Sequence, residues 1–359
     1  MPFTLDEIKQ IPKTDLHVHL DGSVRLESLI DFANRLKIKL PSYTKEGLKD
    51  LVFKNSYKDL PEYLKCFDYL CASMQDLENI EQASYEFALD AFLDGVYHIE
   101  PRYCPSLLLN EKNSFSIKDI ILAVEKGLSH AARLINEQIT GSAKTEKLFS
   151  DYSFANKAFT YTQILCIMRH WSPEDSYKYI EELLDIKKTG DIEIQNIDLA
   201  GPENGFPVSL HQKAFDLSKG LNKTIHAGEA DGPESIYSAI KLADAKRIGH
   251  GVNLFNKEYN YSDKKTAELI NIIKDNDITI EVCLTSNLQT LPQLKMKAEN
   301  HSLIKMLEAG ISISPSTDNR TVSNTTVSEE IFKIQSAFKL DKDITLSLIK
   351  NGFKARFHG

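Results

Sequence analysis

The sequence predicts an α/β fold, a closed (β/α)8 TIM barrel with extra helices capping the C-terminal face of its strands. Two observations predict it. Short apolar runs alternate with longer segments of helical periodicity along the 359 residues. Several of these runs end on a histidine, an aspartate or an arginine, as expected where the carboxyl ends of barrel strands converge on one face. A doubly wound open sheet is the competing layout, but it gathers residues from many strands less easily.

Eight runs are predicted to be strands: Thr14–His19, Val96–Pro101, Thr162–Met168, Ile194–Leu199, Lys223–His226, Arg247–His250, Thr279–Val282 and Ser312–Ser316. The segments with helical periodicity include Leu26–Leu36, Leu77–Leu93, Ile117–Ile135, Pro173–Ile186 and Ser235–Ala243. The long span 25–81 is expected to hold several helices that cover part of the barrel mouth. No linker or repeat marks a boundary, so we expect one domain over residues 1–359.

Composition narrows the range of partners and locations. The net charge of -8 argues against a nucleic-acid surface, which needs clustered lysine and arginine. No apolar stretch approaches the roughly 18–20 residues of a membrane span, and the N-terminus lacks the apolar region of a secretory signal. The five cysteines contain no CxxC pair and are read as thiols of a reducing compartment. We therefore expect a soluble cytoplasmic protein that is a monomer or a weak homo-oligomer.

The first predicted strand carries the histidines of the run DLHVHLDG. His17 and His19 are two residues apart, so on a strand their side chains face the same way. Two imidazoles on one face are suited to binding zinc or another divalent metal. A lone HxH pair is more often a pair of core or surface histidines. Its position at the end of a barrel strand favours the metal interpretation here.

Two further runs end in histidine. In HAGE, His226 closes an apolar strand and Glu229 follows three residues later, where it is placed to carry a proton. Glu229 is also explained as an acid at a helix N-terminus, and taken alone that explanation is the better one. In RIGHGV, glycines on both sides leave His250 open to approach, which favours a functional histidine over a core one.

Asp318 ends the last predicted strand and completes the set. On its own it is equally well explained as a cap of the following helix. Together the runs supply three histidines and a carboxylate for a metal, with a glutamate and a fourth histidine for acid–base work. A metal of this kind lowers the pKa of a bound water to roughly 7. The set fits hydrolytic attack on an amide, ester or amidine carbon, and its chemistry alone does not choose among them.

Seven segments, spread over most of the chain and in the same order, resemble the adenosine deaminase family of the amidohydrolase-type barrels. They are PKTDLHVHLDG (12–22), IEPRYCPSLL (99–108), IDLAGPE (197–203), HAGE (226–229), RIGHGV (247–252), EVCLTSN (281–287) and STDNRTVSNTT (316–326). The resemblance implies hydrolysis of adenosine, and of 2′-deoxyadenosine, to inosine and ammonia in purine salvage. The expected partner is a small nucleoside substrate.

The resemblance also implies roles for individual residues. One Zn²⁺ per chain is expected on four ligands, which are His17, His19, His226 and Asp318. Glu229 is expected to share a proton with purine N1. His250 is expected to orient and stabilise the attacking hydroxide at C6, and Asp318 to accept a hydrogen bond from it.

Substrate binding is implied for a second group of residues, which are His19, Asp21, Gly201 and Asn319. The resemblance implies that Asp21 binds the hydroxyl end of the ribose and that the Gly201 backbone N–H donates to purine N3. Asn319 stands where many members have a second aspartate that reaches N7, and its amide can donate to N7 directly. Arg102 and Glu281 are expected to support the site without reacting.

The chain departs from the family elsewhere too. Pro202 precedes Glu203 where an aspartate is usual. The chain ends at Gly359, somewhat early for the family, and the last helix is therefore expected to be short or missing.

Five other functions compete with this one. Adenine deaminases tend to have glutamate at the position of Asp21 and aspartate at that of Gly249, so both positions favour the nucleoside. AMP is disfavoured because no basic cluster accompanies the motifs, whereas a modified adenosine stays open. A two-metal barrel would need a lysine late in a middle strand, and neither 162–168 nor 194–199 contains one. An inactive barrel that only binds ligands is the remote alternative.

Overall fold

Eight parallel strands follow one another around a barrel in the order in which they occur along the chain. The computed structural model describes residues 2–110 and 114–357. The strands are β1 Lys13–His19, β2 Val96–Tyr103, β3 Ile164–Met168, β4 Asn196–Ala200, β5 Asn222–Ala227, β6 Arg247–His250, β7 Thr279–Val282 and β8 Ser312–Pro315.

The barrel closes between its first and last strands. Val18 forms a parallel bridge with Asp318. The His19 N–H donates to the Asp318 carbonyl at 2.7 Å, and the Asp318 N–H donates to the His17 carbonyl at 2.8 Å. Sequential strand order together with closure confirms the barrel and rules out the doubly wound alternative.

The third strand is the one that deviates most from the prediction. A two-residue strand, Thr160–Tyr161, pairs with β2 ahead of β3, and the ladder resumes only at Ile164. In between, the side-chain amide of Asn196 donates to the Thr162 hydroxyl at 2.8 Å and to the Gln163 carbonyl at 3.0 Å. These side-chain bonds satisfy polar groups of a segment that has left the ladder, which apolar periodicity does not predict.

Helices surround the barrel. They are α1 Leu5–Gln10, α2 Leu26–Leu36, α3 Lys45–Leu51, α4 Leu60–Leu64, α5 Phe67–Ser73, α6 Leu77–Leu93, α7 Ile117–Ile139, α8 Ala143–Asp151, α9 Pro173–Thr189, α10 Gln212–Leu217, α11 Pro233–Ala243, α12 Asp263–Asp275, α13 Leu284–Thr290, α14 Leu303–Glu308, α15 Val327–Phe338 and α16 Lys342–Ala355. Capping side chains begin many of them; Thr326 and Ser116, for example, form capping boxes with the third residue of α15 and α7. None of the described helices has the length and apolar character to cross a bilayer.

The segment between β1 and α6 covers the barrel mouth, as expected. Leu60 and Tyr63 of α4, with Phe67 and Cys71 of α5, line the cavity above the strands. Tyr63 is 2% exposed, so this cover is packed rather than lying loosely on the surface.

The expectation of a short or missing last helix is wrong. Helix α16 packs against β1 and β8. A Cβ on Gly352 would lie 2.1 Å from the Thr14 hydroxyl and 2.9 Å from that of Ser314. Glycine therefore allows the helix to approach these strands closely.

Candidate active site

Side chains from four strand ends meet in one cavity of about 470 Å³ under α4 and α5. It lies at the C-terminal face of the barrel, where the polar ends of the strands were expected to converge. His19, His226, His250 and Asp318 all line it, although they are far apart in the sequence. His17 lies directly beneath, fully buried.

The ligand atoms of five residues crowd the floor of this cavity. Those of His17, His226, His250 and Asp318 all lie within 4.8 Å of one another. His19 also joins the group, because its Nε2 is 3.1 Å from His226 Nε2 and 3.4 Å from Asp318 Oδ1. The structure thus brings together the four predicted ligands and adds His250 at ligand distance.

His17 shows that this group fits a cation. Its Nδ1–H donates to the Glu281 carboxylate at 2.7 Å, which leaves a lone pair on Nε2. That Nε2 is buried, has no hydrogen-bond partner among the described residues, and lies 3.4 Å from Asp318 Oδ1. A bare lone pair beside a carboxylate is costly to bury and suited to a divalent metal, and a carboxylate behind the imidazole is usual for a metal-bound histidine.

His226 has a similar arrangement. Its Nδ1 is 2.9 Å from Asp198 Oδ2, close enough for an ion pair but at an angle unfavourable for a hydrogen bond. Asp198 also accepts from Arg102 at 2.8 Å. Burial opposes the charge on Asp198, but His226 and Arg102 outweigh it and lower the pKa of this carboxyl. An ionised carboxylate therefore stands behind this histidine also.

His250 differs from these two in what lies behind its ring. Its Nδ1 is 3.0 Å from the side-chain amide nitrogen of Asn287, and its Nε2 is 3.6 Å from Glu229 Oε2. His250 and Asp318 have φ values of +67° and +61°, in the left-handed region that is strained for residues other than glycine. Both residues lie at or just after a strand end, and both line the cavity.

Glu229 is a buried carboxyl that faces the cluster. Burial raises its pKa well above the usual range, and the negative charges of Asp318 and Glu203 add to this effect. Burial therefore favours the protonated form of this carboxyl. The hydroxyl of a protonated carboxyl is a hydrogen-bond donor, and a proton donor is what the sequence predicted at this position.

The loop that carries Glu229 is held by a second glutamate, Glu203. The Glu203 carboxylate accepts the backbone N–H groups of residues 228 to 231 at 2.6 to 3.1 Å, and the Ser235 hydroxyl at 2.5 Å. Sequence reasoning noted Glu203 only as part of a motif. Its five donors identify it as the anchor of the loop that carries Glu229.

The predicted substrate-binding residues line the same cavity. Burial raises the pKa of Asp21 to about 6, and its carboxylate accepts the backbone N–H of Gly22 at 3.1 Å. Gly201 has a φ of +97°, a conformation that favours glycine and turns its backbone toward the cavity. Asn319 donates its amide N–H to the Tyr63 hydroxyl at 2.7 Å, a contact that joins it to the covering helix α4.

The cavity walls are largely apolar and contain few charges. Leu60, Leu64, Phe67 and Met168 contribute to the apolar surface. Lysine and arginine are absent from the described residues that line the cavity. A phosphate group would find no cationic partner here.

Arg102 and Glu281 support the site from below, as the sequence suggested. Arg102 donates to Glu281 at 2.9 Å, and Arg247 donates to the same carboxylate at 2.6 Å. All three are buried in the barrel interior. Sequence reasoning did not single out Asp198, although an aspartate inside an apolar strand was a usable signal.

Comparison with known proteins gives matches at the levels of family, sequence and fold. The sequence matches the family described as adenosine deaminase over residues 12–358. A Clostridium kluyveri protein named adenosine deaminase is 35% identical over 356 residues, which cover 98% of this chain and 90% of that protein.

Two solved structures have a similar fold. An adenine deaminase from Arthrobacter aurescens has a TM-score of 0.78 and 20% identity, covering 97% of this chain and 94% of that chain. An N6-methyl-AMP deaminase from Arabidopsis thaliana has a TM-score of 0.75 and 23% identity, covering 99% and 95%. At such low identity these two structures show a shared fold and nothing about substrate.

Proposed function

Since the chain belongs to the adenosine deaminase family, we propose that it hydrolyses adenosine and 2′-deoxyadenosine to inosine and ammonia, with one zinc ion per chain. The observation that carries the proposal is the cavity itself. The buried Glu229 carboxyl, whose pKa is raised by burial, and a cluster of histidines with Asp318 face one largely apolar space. The cellular setting we propose is purine salvage in the cytoplasm, by a monomer or weak homo-oligomer.

We assign the zinc ligands to His17, His19, His226 and Asp318. His250 also lies at ligand distance, but an amide rather than a carboxylate stands behind its ring. When bound, zinc would lower the pKa of a water molecule so that hydroxide is available near neutral pH.

The residues of the chain then carry out the proton transfers and orient the attacking oxygen. Glu229 donates its proton to purine N1, which makes C6 more electrophilic as the attacking oxygen approaches. His250 orients that oxygen, and Asp318 accepts a hydrogen bond from it. Water adds its oxygen at C6, and the bond from C6 to the amino nitrogen breaks. One water proton goes to the amino nitrogen, which leaves as ammonia, and the other restores the proton of Glu229. N1 keeps the proton that Glu229 gave, and C6 becomes the carbonyl carbon of inosine.

Four residues hold the substrate. His19 lines the wall beside Asp21, which binds a ribose hydroxyl. The Gly201 N–H meets N3, and the second N–H of the Asn319 amide is available for N7. Free adenine would leave the buried Asp21 carboxyl without a hydroxyl partner, which is costly. A nucleotide would place a phosphate in a cavity whose described lining contains neither lysine nor arginine.

The test is a substrate panel with zinc-loaded protein. Adenosine, 2′-deoxyadenosine, adenine, AMP and methylthioadenosine are each scored for ammonia release, with Glu229→Gln as the inactive control. We expect the two nucleosides to react and adenine and AMP to react far more slowly. Ammonia release from adenine but not from adenosine would overturn the proposal in favour of the free base.

A further inference from the structure

A line of buried hydrogen bonds runs behind His250, away from the cavity. The Leu303 backbone N–H donates to His301 Nδ1 at 3.0 Å. His301 Nε2 is 3.3 Å from Asn287 Oδ1, and Asn287 Nδ2 is 3.0 Å from His250 Nδ1. All three side chains are at most 2% exposed. They are therefore sealed from the solvent that would otherwise exchange partners with them.

Chemistry fixes the direction of each bond in turn. A backbone N–H can only donate, so Nδ1 of His301 accepts and the His301 proton lies on Nε2. That proton needs an oxygen, so Asn287 must present Oδ1 to His301. The amide nitrogen of Asn287 then faces His250, and the His250 Nδ1 must accept. The Leu303 backbone N–H thus determines, through His301 and Asn287, that Nδ1 of His250 is the accepting nitrogen.

We propose that Asn287 and His301 are positioning residues that orient the His250 ring with Nδ1 as acceptor and a proton on Nε2, so that His250 donates a hydrogen bond to the attacking oxygen. The inference deepens the proposed function and rests on it for the identity of the attacking oxygen.

The hydrogen-bond partner behind each ring distinguishes two kinds of histidine within the cluster, by which ring nitrogen carries the proton. Glu281 behind His17 draws the proton to Nδ1 and leaves Nε2 bare for a metal. Asn287 behind His250 does the opposite and leaves Nε2 protonated. A protonated nitrogen is not a metal ligand, so the amide keeps His250 out of the ligand set although its ring is at ligand distance.

The direct test is nitrogen NMR of histidine-labelled, zinc-loaded protein, where protonated and bare ring nitrogens have well-separated shifts. His250→Gln assigns the His250 signals by their loss. We expect a protonated Nε2 and a bare Nδ1 in the wild-type protein, read without substrate. A protonated Nδ1 on His250 overturns the inference.

The matched variant is Asn287→Asp, which has nearly the same shape but can only accept. We expect the His250 proton to move to Nδ1, kcat to fall by about 10²-fold, as for loss of one donor to a developing oxyanion, and KM to stay within about threefold. Asn276→Asp, at an exposed site, should change none of these quantities. His301→Gln keeps a donor toward Asn287 and should retain more activity than His301→Leu.

Two outcomes would separate this inference from the proposed function. If wild-type protein releases no ammonia from adenosine, the proposed function fails while the tautomer of His250 is still read. If adenosine is deaminated but Asn287→Asp leaves both the His250 signals and kcat unchanged, the positioning role fails alone.

Discussion

The Glu203 carboxylate accepts the backbone N–H of Glu229 at 2.9 Å, so one buried glutamate holds the main chain of another. Three neighbouring N–H groups of the loop share the same carboxylate. The negative charge of Glu203 also helps to raise the pKa of Glu229, after burial. Position and protonation of the proposed acid thus depend on the same side chain.

Replacing this anchor tests that relationship. Glu203→Gln puts an N–H₂ group among N–H donors, so we expect the free energy of unfolding to fall by about 2–3 kcal/mol. Activity should fall as well, because the loop no longer holds Glu229 in place. Urea unfolding and steady-state kinetics measure the two effects. Glu234→Gln, an exposed change on α11, is the control; equal results for both variants would refute the anchoring role.

Glu229→Gln removes the proton donor without changing its size. The fold and metal content should survive, and kcat should fall by at least about 10²-fold, as expected for a general acid. Metal analysis and circular dichroism accompany the kinetics. Near-normal turnover would remove Glu229 from the acid role.

The ligand assignment predicts two classes of histidine variant. His17→Asn, His19→Asn and His226→Asn should each lose most of the bound metal, because four protein ligands become three. His250→Asn should keep about one metal per chain, and so should the exposed His130→Asn. Loss of metal from His250→Asn with retention in His19→Asn would exchange the roles of the two histidines.

The burial of His301 leads us to expect that the free energy of unfolding depends on pH. Burial lowers its pKa from 6.5 to about 4. Between pH 4 and pH 6.5, the unfolded chain binds a proton at His301 and the folded chain does not. The contribution of the neutral His301 to the free energy of unfolding is therefore complete above pH 6.5. It is lost as the pH falls toward 4, by up to about 3 kcal/mol. His301→Gln should lack this component, and parallel unfolding curves of variant and wild type over that interval would contradict it.

Tyr63→Phe tests the link between the covering helix and Asn319. Without the hydroxyl, the Asn319 amide loses a partner at 2.7 Å and its orientation toward N7 is less fixed. We expect KM for adenosine to rise by about fivefold, equivalent to about 1 kcal/mol, with kcat nearly unchanged. Tyr43→Phe, at a half-exposed tyrosine, is the control. An unchanged KM would show that Tyr63 only fills space.

The strand ends could be predicted because histidine and carboxylate residues interrupt the apolar runs there. His226 and Asp318 were recognised at such interruptions, and the barrel brings them together as expected. Their individual roles, and the single domain over residues 1–359, stay predictions. The two-residue strand ahead of β3 was missed, because side chains of a neighbouring strand rather than periodicity satisfy that segment.

The supporting residues were harder to predict because their partners are distant along the chain. Nothing in the run EVCLTSN shows that Asn287 contacts His250 on one side and His301 on the other. The motif around Glu203 likewise does not show that this carboxylate accepts the backbone N–H groups of the loop that follows β5. Such contacts depend on how loops pack over the barrel, and local patterns carry no information about that.

For the proposed ligand set, the bridge between Val18 and Asp318 sets a limit on when the chain can bind its metal. During synthesis, His17 and His19 emerge from the ribosome early, whereas Asp318 emerges close to the end. Two histidines alone form a weak, open site that exchanges its ion readily. Tight capture therefore waits until the last strand has docked against the first. A nascent or truncated chain would shed its ion, and only the finished barrel would retain it.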